Sequence, residues 1–264
     1  NVAEYAEIVK RKSVLRKLVK AGQNILGLGF EEADDVEDTL DKAEQELFSI
    51  SRASLRRNFI PISSVLNEAF ERIDELHHQD GKLRGLATGY LDLDNLLAGL
   101  QKSNLVILAA RPSVGKTSMA LDLARYMGVA GKSRIGIFSL EMSKEELTDR
   151  LLCAEAGIGL WKMRTGRLGE DEFPHISDAM GKLSEANIFI DDSATANIME
   201  IRTKARRLAL EKGLDLIIVD YLQLMTSTAS RSQDSLVQQV TEISRSLKTL
   251  ARELDVPVLA LSQL

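Results

Sequence analysis

Leu105-Val-Ile-Leu-Ala-Ala-Arg-Pro-Ser-Val-Gly-Lys-Thr117 is a short apolar run that passes directly into a tight loop and then into a helix opening at Gly115. Strand, loop and helix in that order, ending in Gly-Lys-Thr, match the phosphate-binding pattern G-x-x-x-x-G-K-[ST] at every position but the first, where Ala110 replaces glycine. The positions with direct chemical roles are intact. Backbone N–H groups from Ser113 to Thr117 can surround a β-phosphate at the positive end of a helix. Lys116 can reach the β/γ oxygens, and the Thr117 hydroxyl can ligate Mg²⁺. The run Arg111, Pro112, Ser113, Val114, Gly115, Lys116, Thr117 and Ser118 is therefore the expected nucleotide-contacting segment.

Outward from this loop the texture is regular. Short apolar runs at 105–109, 134–138, 188–190, 216–219 and 258–261 alternate with helical stretches beginning near Gly115, Ser143, Asn197 and Ser235. Ser143 with Glu146, and more loosely Asn197 with Glu200, fit a capping box. Strand–helix alternation predicts an α/β fold, a mainly parallel sheet flanked by helices, with its ligand at the carboxyl ends of the strands.

Three further strand ends carry candidate chemistry. Leu216-Ile-Ile-Val-Asp220 ends on a carboxylate about a hundred residues after the loop, where an acid would organise Mg²⁺ with Thr117. Ile135-Gly-Ile-Phe-Ser-Leu-Glu141 is expected to lie beside the strand of the phosphate loop. Glu141 is then a candidate general base for an attacking water, or equally a first-turn acid of the helix near Ser143. Val258-Leu-Ala-Leu-Ser-Gln263 ends in an amide that could sense a γ-phosphate or simply make a turn. Arg202, Lys204, Arg206 and Arg207 oppose Ile198, Ile201, Ala205 and Leu208 on one helix, and a solvated basic face is the default expectation. Trp161, with Lys162, Arg164 and Arg167, suggests base stacking, but a single Trp after a helix more often anchors a core. The polar segment 226–235, with Arg231 as its one cation, lies at the edge where a threaded polymer would pass.

Ahead of the core, apolar residues at Val2, Tyr5, Ile8, Val9, Leu15, Leu18, Val19, Ile25 and Leu26 mark an amphipathic helix, expected to stop at Gly27 and Gly29. A second stripe at Val36, Leu40, Ala43, Leu47 and Phe48 would complete a helical hairpin. After Pro61, a further helix carries Val65, Leu66, Ala69, Phe70, Ile73 and Leu76 on one face. His77 and His78 close it as a solvated end, since adjacent helical side chains point about 100° apart and make a poor metal pair.

The bulk composition is that of an ordinary globular protein, 44% apolar and 28% charged, with no apolar run of membrane-spanning length and no secretory leader after Asn1. One cysteine, Cys153, excludes an internal disulfide framework and fits a reducing, cytoplasmic setting as a small buried residue. A net charge of −5 argues against a surface coated for nucleic acid but leaves room for a local basic loop. The chain begins without Met, which suggests part of a longer protein.

Seven motifs in this order resemble the bacterial replicative DNA helicases, the DnaB family. They are Gly85-Leu-Ala-Thr-Gly-Tyr-Leu-Asp-Leu-Asp94, the phosphate loop from Ala109, Phe138-Ser-Leu-Glu-Met142, Ile190-Asp-Asp192, Ile218-Val-Asp-Tyr-Leu-Gln-Leu-Met225, Glu242-Ile-Ser-Arg-Ser-Leu-Lys248 and Ala260-Leu-Ser-Gln-Leu264. The resemblance covers essentially the whole chain, and this family commonly carries Ala at the first loop position. It implies a RecA-like core at 85–264, a linker with a subunit-bridging helix at 53–84, and the end of an all-α N-terminal domain at 1–52.

It also implies a homohexamer that uses ATP and Mg²⁺ to move 5′ to 3′ on single-stranded DNA, in contact with primase and a helicase loader and with no membrane. Lys116 and Thr117 then hold nucleotide and Mg²⁺, Asp220 takes the acidic metal-organising role, Glu141 the catalytic base and Gln263 the γ-phosphate sensor. Arg150 matches a motif position near the active site. The resemblance puts the arginine finger, the principal DNA-binding loop and the last core strands beyond the position of Leu264. A recombinase or clock-type ATPase would more often carry a full set of loop glycines and lack the helices ahead of Gly85. A nucleotide-gated scaffold has no need of Glu141 and Asp220 alongside Lys116 and Thr117.

Overall fold

The computed structural model describes residues 2–30, 39, 42, 43, 46, 61–78, 83–193, 197–225 and 236–264. It forms two compact units, Asn1–His77 and His78–Leu264.

In the first unit, α1 runs Val2–Phe30 and α2 runs Ile62–His78. Gly27 and Gly29 do not stop α1, contrary to the sequence expectation. A glycine costs only about 1 kcal/mol in a helix interior, and propagation on either side outweighs it. Of the second expected stripe, Ala43 is helical, and Val36, Leu40, Leu47 and Phe48 lie outside the described residues. On α2 the expected apolar face is present and open: Leu66 is 55%, Phe70 70% and Ile73 62% exposed.

The second unit is built on five strands: β1 (Leu105–Ala110), β2 (Ile135–Ser139), β3 (Ile188–Asp191), β4 (Leu216–Asp220) and β5 (Val258–Gln263). Every pairing is parallel, in the order β1-β5-β4-β2-β3. Around them lie α3 (Leu91–Leu97), α4 (Lys116–Val129), α5 (Lys144–Ala156), α6 (Leu160–Thr165), α7 (Glu172–Glu185), α8 (Ile198–Glu211) and α9 (Leu236–Leu254). The expectation that β2 lies beside β1 is wrong, because β5 and β4 separate them. A helix about 10 Å across, laid over strands about 4.8 Å apart, carries the crossover from β1 past the neighbouring positions. Later strands then fill the gap.

Side-chain alternation along the strands divides the core between the two faces. Ile217 and Val219 of β4, with Val258 and Ala260 of β5, pack in one cluster with Ile201 and Ala205 of α8 and Leu247 and Leu250 of α9. Leu216 and Ile218, with Leu259 and Leu261, pack in the other with Ala124 and Met127 of α4 and Leu147 and Leu151 of α5. Each fully buried Leu, Ile or Val stabilises the fold by about 1.5–3 kcal/mol, so both faces anchor the central strands. Cys153 is buried on α5, as expected.

Helix starts follow the caps in part. Ser143 Oγ accepts from Glu146 N at 3.3 Å, but the Glu146 carboxylate faces Arg164 at 2.7 Å, so that box is one-sided. Asn197 accepts from Met199 N at 3.0 Å rather than from Glu200. Two surface expectations change. Arg202 and Arg206 of α8 are not a free solvated face; both grip Glu253 of α9, and Lys204 pairs with Asp191 at 2.9 Å. Trp161 does not anchor a core: it is 61% exposed in the first turn of α6, with the Arg167 guanidinium 5.1 Å from its ring centre. No helix among the described residues is long and apolar enough to cross a membrane.

Candidate active site

The carboxyl ends of β1, β2, β4 and β5 meet at one edge of the sheet, where a cavity of about 400 Å³ opens. Ala110, Arg111, Pro112, Ser113, Gly115, Lys116, Thr117 and Ser118 line one side, and Glu141, Met142, Arg150 and Gln263 complete it. Of the expected loop residues only Val114 is not part of the lining, and it is 71% exposed. A cavity of this size suits a small ligand.

The loop turns because two residues take left-handed backbone angles, Ser113 at φ 64° and Gly115 at φ 102°. Gly115 is the N-cap of α4, and no side chain caps the helix, so its first-turn N–H groups are left facing the loop interior. Ala110 is the last residue of β1 and has no positive φ, so nothing in the backbone calls for glycine there.

Asp220, at the tip of β4, is buried at 3% exposure. Its Oδ2 accepts from the Thr117 hydroxyl at 2.7 Å. Its Oδ1 is buried with no hydrogen-bond partner, and Lys116 Nζ stands 3.9 Å away. Burial raises the Asp220 pKa above the ordinary value against the lowering pull of the Thr117 hydrogen bond. The Lys116 ammonium also lies 4.4 Å from the centre of the Tyr221 ring. An unsatisfied buried carboxylate oxygen beside a hydroxyl is a hard-oxygen pair that suits Mg²⁺ completed by water and phosphate oxygens. Among the described residues there is no cluster of three His, Cys, Asp or Glu that would hold a metal by protein groups alone.

Glu141 is two residues beyond the end of β2, whose Ser139 pairs with Asp220 in the ladder. Ser139, itself 1% exposed, donates its hydroxyl to Met142 O at 2.7 Å and accepts from Met142 N at 3.1 Å. That closes a turn that presents Glu141 to the cavity, across from the phosphate loop. Arg150, from α5, lines the same cavity; it touches Glu146 at 3.4 Å, and its buried Nε has no partner. All the expected strand-end residues are thus brought to one place, although not on adjacent strands.

Residues 85–264 match the family model described as DnaB-like helicase C terminal domain. Over its full length the chain is 44% identical to the replicative DNA helicase DnaB of Geobacillus stearothermophilus and 44% identical to the replicative DNA helicase DnaC of Bacillus subtilis strain 168. The chain belongs to the DnaB-like helicase family. It spans 58% of the length of each of these two relatives. A solved DnaB-like replicative helicase, studied with its interactions with primase, superposes with a TM-score of 0.81 over 99% of this chain and 60% of that one, at 31% identity. A second solved structure, an isolated ATPase domain, superposes with a TM-score of 0.71 over 78% of this chain and 72% of that one, at 35% identity.

Three residues of this DnaB-like site escape a reading of charge and spacing. Ser139, Tyr221 and Gln223 matter through partners supplied by other turns or strands, and only their place inside the quoted motifs marks them. Asp94 is a fourth, with a supporting part: buried at 7% exposure, it accepts from the backbone N of Thr88 at 2.8 Å and of Gly89 at 3.2 Å, pinning the loop that enters the core.

Proposed function

We propose that this chain is part of a replicative DNA helicase, a homohexameric motor that hydrolyses ATP to translocate 5′ to 3′ on single-stranded DNA and unwind duplex at the fork. The observation that carries this is the convergence of Lys116, Glu141 and Gln263 on one cavity beside the Thr117–Asp220 pair, in a member of the DnaB-like family. The division into 1–52, 53–84 and 85–264 is supported by the family match from 85 and by the compact-unit boundary at His77–His78. The open apolar face of α2 supports its packing on a neighbouring subunit. Primase contact is supported by the solved relative studied with primase. A loader and a cytoplasmic setting follow from the same family role.

In this reading the backbone from Arg111 to Ser118 wraps the phosphates, and Lys116 neutralises the β/γ oxygens. Thr117 and Asp220 would hold Mg²⁺, which when bound lowers the charge on the phosphates. Glu141 takes the proton of a water as that water's oxygen bonds to the γ-phosphorus. The bond from the γ-phosphorus to its bridging oxygen breaks, and ADP leaves with that electron pair. Gln263, at the end of β5, meets the γ-phosphate and registers its loss. The neighbouring subunit adds a cation in trans, worth on the order of 10³–10⁵ in rate.

The test is ATP turnover of the full-length protein with and without single-stranded DNA, beside Glu141→Gln. We expect DNA to stimulate turnover, and the variant to keep ATP affinity while losing turnover by about 10²–10⁴-fold, the worth of a general base. Wild-type turnover in Glu141→Gln would move the base elsewhere. Turnover indifferent to DNA would remove the motor reading.

A further inference from the structure

The ladder between β4 and β5 ends at Val219 opposite Ala260, three residues short of Gln263. On its other side β5 stays paired with β1 to its last residue, Gln263 opposite Ala110, and Leu264 N donates to Ala110 O at 3.2 Å. In a parallel strand one residue's N–H and C=O point to the same side, and the next residue's to the other. The peptide groups of Gln263 therefore face the β4 side, where no strand reaches them.

A side chain does. Gln223, in the 3₁₀ turn Leu222–Leu224 that follows Asp220, donates from Nε2 to Gln263 O at 2.7 Å. Its Oε1 accepts from Gln263 N at 3.2 Å. The same Nε2 also lies 3.0 Å from Ser262 Oγ. One carboxamide thus takes both backbone groups of Gln263, as a strand residue would. The turn that carries it is fixed at both ends, with Leu222 1% and Met225 3% exposed in the core cluster of α8 and α9.

We propose that Gln223 is a positioning residue for Gln263: it extends the sheet by one side chain and ties the amide at the cavity edge to the turn after Asp220. This rests on reading Gln263 as the group that meets the γ-phosphate. Without the clamp, Gln263 is the last residue of an edge held on one side only. Its amide then no longer has a fixed starting point, and the difference between a bound triphosphate and a diphosphate is poorly registered.

The experiment is a double-mutant cycle on the full-length protein with Gln223→Ala, Gln263→Ala and both together. A second variant, Gln223→Met, keeps the volume of the side chain and removes its hydrogen bonds, so a poorly folding alanine variant does not end the test. Turnover is measured together with the affinities for ADP and a non-hydrolysable ATP analogue. We expect each Gln223 variant to lower kcat about tenfold, ADP affinity to stay within about twofold, and the preference for the triphosphate to shrink. The double variant should be no slower than Gln263→Ala alone, the signature of residues acting as one unit.

A purely structural Gln223 would weaken ADP and the analogue equally. That result, or wild-type kcat in Gln223→Met, or losses that multiply in the double variant, overturns the proposal. Wild-type turnover in Gln263→Ala overturns the reading of Gln263 itself, and the clamp's proposed purpose with it.

Discussion

Strand β4 begins just after one aspartate and ends on another, and the two carboxylates lie in opposite surroundings. Asp215 receives the Arg134 guanidinium on both oxygens, at 2.7 and 2.8 Å, and the Arg134 backbone N–H at 2.8 Å. The hydrogen bond from Arg134 holds its pKa below the ordinary range. Asp220 has one hydroxyl, one unsatisfied oxygen and a lysine at 3.9 Å, and burial raises its pKa. The contrast extends along both edges of the sheet. At the amino ends Ser103 bonds Asp255 at 2.7 Å, and Lys248 donates to Ser103 O at 2.8 Å. At the carboxyl ends Arg150 Nε and Asp220 Oδ1 have no partner, and Ser113 and Gly115 hold left-handed angles. One edge spends its polar groups on the fold, and the other keeps them for a ligand.

The largest effect separating the edges should come from Lys116. Its ammonium is 11% exposed at the mouth of the loop and stands between Asp220 and the cavity. Lys116→Ala removes the charge-assisted contacts expected with two phosphates, each worth about 1.5–3 kcal/mol. Nucleotide affinity should fall on the order of 100-fold or more in a titration of the full-length protein, with the unfolding midpoint little changed. Unchanged affinity would put the phosphate-binding cation elsewhere.

A smaller effect tests how the lysine is held. The Tyr221 ring lies 4.4 Å from Lys116 Nζ, a cation–π contact worth roughly 0.5–1 kcal/mol at a partly open site. Tyr221→Leu should weaken ATP binding about threefold, because the unheld ammonium must be ordered when the phosphates arrive. Tyr221→Phe keeps the ring and should bind as the wild type does. Equal losses in both variants would assign the effect to the hydroxyl instead.

The two edges also differ in how far the sequence reveals them. The strands could be read from their apolar runs because β2 and β4 are buried on both faces, which demands near-continuous Ile, Val and Leu. The phosphate loop was legible because backbone geometry, helix start and cation are all local in sequence. Strand order was not, since β5 arrives between β1 and β4 only after about 150 intervening residues, and no local pattern records it. Gly27 and Gly29 misled because a residue's own preference is weaker than the helix around it. Trp161 misled because the exposure of a large ring depends on what the rest of the chain leaves uncovered. Tyr221 and Gln223 were invisible for a related reason: a polar or aromatic residue after a strand looks alike whether it meets water, a lysine or a strand end 40 residues away.

The smallest effects should be those on stability, and they should differ in kind between the two aspartates. Asp215 has a lowered pKa, so its contribution is present above the unfolded carboxylate value and is lost as pH falls through the lower folded value. Asp215→Asn should cost about 0.5–1 kcal/mol at neutral pH, since Arg134 is 43% exposed and solvent screens the pair. That loss should vanish in acid. Asp220 has a raised pKa, so above its folded value the buried charge opposes folding. Asp220→Asn should therefore leave the denaturation midpoint unchanged or raise it at neutral pH, while nucleotide binding weakens. Urea unfolding at neutral and acidic pH, run on both variants, reads the difference directly. Equal destabilisation by the two substitutions would mean that the edge around Asp220 is built for the fold after all.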